Sequence, residues 1–179
     1  RAEELQKAEG VKVVVVTGAG DHFMAGGDIK EFHSMVKAPP EARSRAFGKL
    51  IGELINPAME ILRTLPQPIV GKIRGACAGF GFSLMAGCDM ALAADNAYFT
   101  TGYSLLGTTA DGGGTYFLPR LVGAKKAAEL TLLAERLDAQ QALALGLVNR
   151  VVPAAELDAA CEMLAIRLAG PARLTLAGE

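Results

Sequence analysis

Val11-Lys12-Val13-Val14-Val15-Val16-Thr17-Gly18-Ala19-Gly20-Asp21-His22-Phe23-Met24-Ala25-Gly26-Gly27-Asp28-Ile29-Lys30-Glu31 is the stretch whose reading decides the fold. Val11 to Thr17 is rich in β-branched residues and has no polar alternation, which predicts a strand covered on both faces. Gly18 to Asp21 turns the chain, and a second glycine turn, Ala25-Gly26-Gly27, precedes Asp28. Asp28 suits the N-cap of a short helix running to about Val36, ahead of the break at Pro39-Pro40.

The same alternation continues outward. Phe47, Leu50, Ile51, Leu54, Ile55, Ile61 and Leu62 fall near one helical stripe, which Pro57 should kink or divide. Strands are expected at Ile69 to Ile73 and Met90 to Ala94. Between them a small-residue turn from Gly75 to Gly81 leads to a helix over Phe82 to Cys88. After the loop Asp111-Gly112-Gly113-Gly114-Thr115, a helix is expected from about Pro119 to Ala134. Asp138 and Gln141 have the spacing of a capping box, with Gly146 as the stop. A short strand over Leu147 to Val152 and an amphipathic helix over Ala154 to Ala169 complete the order. Strands alternating with helices imply an α/β fold of parallel strands joined by crossover helices, and residues 1–179 suit one domain.

Composition bounds the function. Apolar residues make up 51% and charged residues 21%, which suits a packed core. A net charge of −1 gives no general attraction to nucleic acid, and no apolar run reaches the roughly 20 residues of a membrane span. Cys77, Cys88 and Cys161 contain no CxxC pair and read as reduced, buried thiols, so a cytoplasmic location is expected. With only His22 and His33 beside them, no metal site is expected.

Three chemistries can be weighed for the glycine loops. A dinucleotide site needs G-x-G-x-x-G opening directly into a helix. Here Phe23 stands where the third glycine should be, and the helix starts only near Asp28. A serine nucleophile at Ser83 lacks the closing glycine of an elbow, since Met85 stands there, and no histidine follows it. The third is an oxyanion hole, in which backbone N–H groups from two small-residue loops meet one ligand oxygen. Residue chemistry alone leaves this level with the reading that the glycines only permit tight turns.

The order of motifs adds a family. The stretch from Val14 to Glu31, with T-G followed by F-x-A-G-x-D-I, resembles the first signature of the crotonase (enoyl-CoA hydratase/isomerase) family. Pro68-Ile69-Val70 through Gly75, Gly79, Gly81 and Cys88-Asp89 resembles the second. Leu105-Leu106-Gly107 to Thr115 with Leu118-Pro119-Arg120-Leu121-Val122-Gly123, and then Leu137 to Pro153, match the segments that follow. The resemblance implies a crotonase-type ββα spiral acting on an acyl thioester of coenzyme A through a stabilised enolate, with no cofactor beyond the CoA of the substrate. The family's domain is longer at both ends, so the stretch is expected to lack opening strands and C-terminal helices. A homotrimer or dimer of trimers is implied.

Residue by residue, the resemblance assigns the oxyanion N–H groups to Gly27 and Phe80. It puts Ala25, Asp28, Ile29, Lys30 and Leu106 on the substrate and CoA side. The two glutamates of similar hydratases are replaced by Ser83 and Tyr103, which argues against ordinary addition of water. Asp111 stands where family isomerases carry an aspartate and is the expected acid/base; capping of the next helix is its bland alternative. The expected activity is therefore enoyl-CoA isomerisation. The alternatives are a hydratase with atypical acid/base residues and a non-catalytic acyl-CoA-binding protein.

Overall fold

The computed structural model describes residues 2–170. In chain order the elements are α1 (Ala2–Gln6), β1 (Val14–Thr17), α2 (Ile29–Ser34), α3 (Pro40–Lys49), a π-helical turn (Leu50–Ile55), α4 (Asn56–Thr64), β2 (Ile69–Ile73) and β3 (Ala76–Ala78). They continue with α5 (Phe80–Ala86), β4 (Met90–Ala94), β5 (Tyr98–Thr100), α6 (Gly114–Val122), α7 (Ala124–Leu133), β6 (Leu137–Asp138), α8 (Ala139–Ala144), β7 (Arg150–Val152) and α9 (Leu157–Ala169).

One sheet has the order β1-β2-β4-β7 with every pair parallel. Helical segments cross over between its strands, as parallel pairing demands. The second sheet has the order β3-β5-β6. There β3 and β5 are parallel, but β5 and β6 are antiparallel, a departure from the all-parallel expectation. The two-residue strand β6 can pair this way because the chain has already turned back through α7.

The central strands β2 and β4 are covered on both faces. Val70, Leu92 and Ala94 face Leu157, Cys161 and Leu164 of α9. Ile73, Ala91 and Ala93 join the main core of Phe82, Met85, Phe99, Leu118 and Leu130. The strand over Val11 to Thr17 is a partial correction. Only Val14–Thr17 is extended, it lies at the sheet edge, and Val15 is 39% exposed.

Further differences have local causes. The stripe through Leu54 is interrupted by the π-helical turn, where the Asn56 N–H bonds to the Ile51 carbonyl five residues back. The extra residue rotates the helix just before Pro57, leaving Leu54 exposed and burying Met59. The stretch from Pro119 to Ala134 is two helices rather than one. Pro119 sits inside α6, and the break falls at Gly123, whose φ is +78°. The small-residue turn before α5 contains β3, and the helix after it begins at Phe80, two residues early. Helix α2 ends at Ser34, β7 begins only at Arg150, and Ala154–Glu156 forms a 3-10 turn before α9. The Asp138–Gln141 capping box is formed, and Gly146 takes φ +74° after α8. No helix among the described residues is long and apolar enough to cross a membrane.

Candidate active site

Two loops far apart in sequence are laid side by side. Met24 forms a parallel bridge to Cys77, with the Met24 N–H donating to the Ala76 carbonyl (3.1 Å) and the Ala78 N–H donating to the Met24 carbonyl (2.9 Å). Residues 24–27 thus run along β3 up to the start of α5. The approach is too close for side chains. A methyl on Gly81 would lie 2.2 Å from the Met24 carbonyl oxygen, and Gly26, at φ +98°, has a backbone conformation that side chains disfavour. Gly79, at φ +53°, turns the chain into α5 while its own N–H bonds to the Thr100 carbonyl (3.2 Å). A methyl on Gly27 would meet the tip of the Phe32 ring at 2.4 Å, so that side chain would have to swing away.

The N–H groups of Gly27 and Phe80 make no hydrogen bond among the described residues. Phe80 opens α5, so its N–H has no partner within the helix. Two unspent donors on adjoining loops are groups that could bond one ligand oxygen.

The third component comes from the loop before α6. Gly112 packs against the Phe80 ring and Gly114 against Ser83. Methyls on them would approach Phe80 Cε2 to 2.7 Å and Ser83 Oγ to 2.5 Å. Asp111 therefore stands beside α5. Its carboxylate does not cap the following helix, because Gly113 holds the N-cap position and no side chain bonds there. It accepts a 2.6 Å hydrogen bond from the Tyr103 hydroxyl, and Tyr103 in turn lies 3.0 Å from Ser83 Oγ. Ser83 and Tyr103 are both buried. Burial, reinforced by the bond to Asp111, pushes the Tyr103 phenol well above its ordinary range, so it stays protonated and donating.

A cavity of about 350 Å³ opens beside this cluster, lined by Ser83, Thr101, Tyr103 and Ala110 and then by small and apolar residues of α6 and α7. In sequence, Ser83 reads as a rejected nucleophile and, with Tyr103, as a replacement for a glutamate. Their occupation of two positions that should face one point was the available signal that they meet.

The remaining candidates lie at the protein surface. Asp28 caps α2, accepting from the N–H groups of Lys30 (2.8 Å) and Glu31 (3.3 Å). Ala25 and Lys30 are exposed, and Ile29 and Leu106 are exposed apolar side chains close to the ends of α2 and of the 3-10 turn Ser104–Leu106. None of these five touches Asp111 through a hydrogen bond.

The enoyl-CoA hydratase/isomerase family profile matches residues 2–177. The chain is 32% identical over 167 residues to the 1,2-epoxyphenylacetyl-CoA isomerase of Escherichia coli K12, covering 93% of this chain and 62% of that protein. It is 35% identical over 164 residues to a protein of Mycobacterium bovis named "probable enoyl-CoA hydratase", covering 91% and 57%. The crystal structure of an enoyl-CoA hydratase from Polaromonas sp. JS666 superimposes with a TM-score of 0.82 at 36% identity, covering 94% of this chain and 65% of that one. A hydratase/isomerase structure from Mycobacterium abscessus gives 0.84 at 32% identity, covering 94% and 66%. The chain thus spans about three-fifths of the length of the curated relatives it matches. With its spiral of parallel strands and its paired glycine loops, this chain belongs to the enoyl-CoA hydratase/isomerase (crotonase) family.

Proposed function

We propose that this site isomerises an enoyl thioester of coenzyme A. The thioester carbonyl accepts hydrogen bonds from the N–H groups of Gly27 and Phe80. Asp111 takes a proton from one carbon of the acyl group, and the C–H electron pair moves into conjugation with the carbonyl to give an enolate. The protonated Asp111 then returns the proton to another carbon, which leaves a neutral thioester with its double bond shifted. Two preorganised donors aimed at the growing charge supply the main stabilisation; removing one such donor costs roughly 3 to 4 kcal/mol of barrier.

The observation that carries this reading is the composition of the cluster beside α5. Asp111 is its carboxylate, bonded by the Tyr103 hydroxyl, which in turn bonds to Ser83. Isomerisation needs one group to remove and return a proton, whereas hydration also needs a group to activate water. The isomerase named among the relatives agrees with this choice.

The relatives named as hydratases favour a second reading, in which Asp111 works with an acid placed elsewhere. A protein that binds acyl-CoA without turnover is the third. On the substrate side, Ala25, Asp28, Ile29, Lys30 and Leu106 would border the CoA moiety, with Lys30 offering its ammonium to a phosphate. A homotrimer or dimer of trimers is the assembly that the family reading carries with it, and the unpaired cysteines favour the cytoplasm.

The test is proton exchange followed by NMR in heavy water, with the full-length protein and a short or an aromatic acyl-CoA. Exchange at the α- or γ-carbon that depends on Asp111 supports the proposal. Thioesters that bind without exchange would point to the non-catalytic reading, and net addition of water would point to the hydratase.

A further inference from the structure

Ser83, Tyr103 and Asp111 come from α5, from the segment after β5 and from the loop before α6, yet their polar atoms lie in series. Ser83 Oγ is 3.0 Å from the Tyr103 hydroxyl, which is 2.6 Å from Asp111 Oδ1. A phenol has one hydrogen to give, and an ionised carboxylate can only accept. The Tyr103 hydrogen therefore goes to Asp111, and the phenol oxygen accepts from Ser83. The chain of donors has one direction, and it ends on Asp111.

We propose that Tyr103 is the positioning residue for the proton-transferring carboxylate: it holds Asp111 Oδ1, aims the side chain, and leaves Oδ2 to take and return the substrate proton. The proposal rests on the reading of Asp111 as the acid/base.

Three observations support it. First, the carboxylate has little else to hold it. Gly112 and Gly113 follow it at φ +55° and +82°, and the Tyr103 bond is the one hydrogen bond its side chain makes among the described residues. Second, the bond is short, in the range of a hydroxyl donating to an ionised oxygen, which is the stronger class of hydrogen bond. Third, the support is itself anchored. The Tyr103 carbonyl accepts from the N–H groups of Leu106 (3.0 Å) and Thr108 (3.1 Å), and the ring is buried. The raised phenol keeps its proton at neutral pH, so Tyr103 serves as a donor and does not compete as a base.

The contact can be read without turnover. With ¹³Cζ-labelled tyrosine in the full-length protein at neutral pH, the Tyr103 signal (assigned by its loss in Tyr103→Phe) should change its chemical shift in Asp111→Asn, because the hydrogen bond to the carboxylate is lost. The role is read by exchange kinetics. Tyr103→Phe keeps the ring and should lower kcat for proton exchange about 10- to 100-fold with KM changed less than about threefold, the signature of misplacement over lost binding. Ser83→Ala should give a smaller loss in the same direction, and Tyr103→Phe should add nothing to Asp111→Asn. A Tyr103 chemical shift indifferent to Asp111→Asn overturns the proposal, as does full kcat in Tyr103→Phe while exchange still requires Asp111. Exchange that survives Asp111→Asn removes the base itself, and the proposal falls together with the reading beneath it.

Discussion

Replacing Gly81 by alanine tests whether the two donor loops must touch. The added methyl would lie 2.2 Å from the Met24 carbonyl oxygen and 2.8 Å from Met24 Cβ, against backbone that is held to β3 by hydrogen bonds on both sides. Non-bonded heavy atoms settle near 3.5 Å, so the loops must part by roughly 1 Å. That movement separates the N–H of Gly27 from the N–H of Phe80. A displacement of this size costs about 100-fold in rate, and full loss of one oxyanion donor costs 100- to 1,000-fold. Overpacking of the core adds about 1 to 3 kcal/mol of destabilisation, which for a domain of this length lowers Tm by roughly 2 to 12 °C. The assay is Asp111-dependent proton exchange in the full-length protein alongside thermal unfolding. Gly20→Ala serves as the control, because a methyl there meets nothing within 4 Å. Wild-type exchange and an unchanged Tm in Gly81→Ala would refute the argument that the donors depend on this approach.

Other outcomes follow from single contacts. Asp111→Asn should lower isomerase turnover at least about 100-fold, the usual worth of a general acid/base, while acyl-CoA affinity measured by calorimetry stays close to wild type. The raised Tyr103 phenol has a signed consequence. The unfolded chain loses the phenolic proton near pH 10, before the folded chain does, so folding stability due to this group is constant below pH 10 and falls as pH rises above it. Urea midpoints should therefore drop more for wild type than for Tyr103→Phe above pH 10, and parallel curves would contradict the burial of that hydroxyl. Asp138→Ala removes the capping box of α8, in which Asp138 accepts from the Gln141 N–H and Gln141 bonds back. It should cost about 1 kcal/mol, or some 2 to 4 °C in Tm, with proton exchange unaffected.

The sequence alone determined the α/β order, the strands at Ile69 to Ile73 and Met90 to Ala94, the Asp28 and Asp138 caps and the family. These are legible because they depend on local rules: the covering of apolar runs, side-chain bonds to nearby N–H groups, and motifs in a fixed order. It also singled out Gly27, Phe80 and Asp111, since each occupies a recognisable position in its own loop. What tertiary structure decided was every relation between segments. That β6 pairs antiparallel with β5 depends on neighbours distant in the chain. That Ser83 and Tyr103 form a donor chain to Asp111, where residue types alone recorded two missing glutamates, depends on separations of 20 and 8 residues closing to hydrogen-bond distance. Periodicity and propensity act over a few residues, whereas hydrogen-bond geometry across the core exists only once the sheets and α5 have packed.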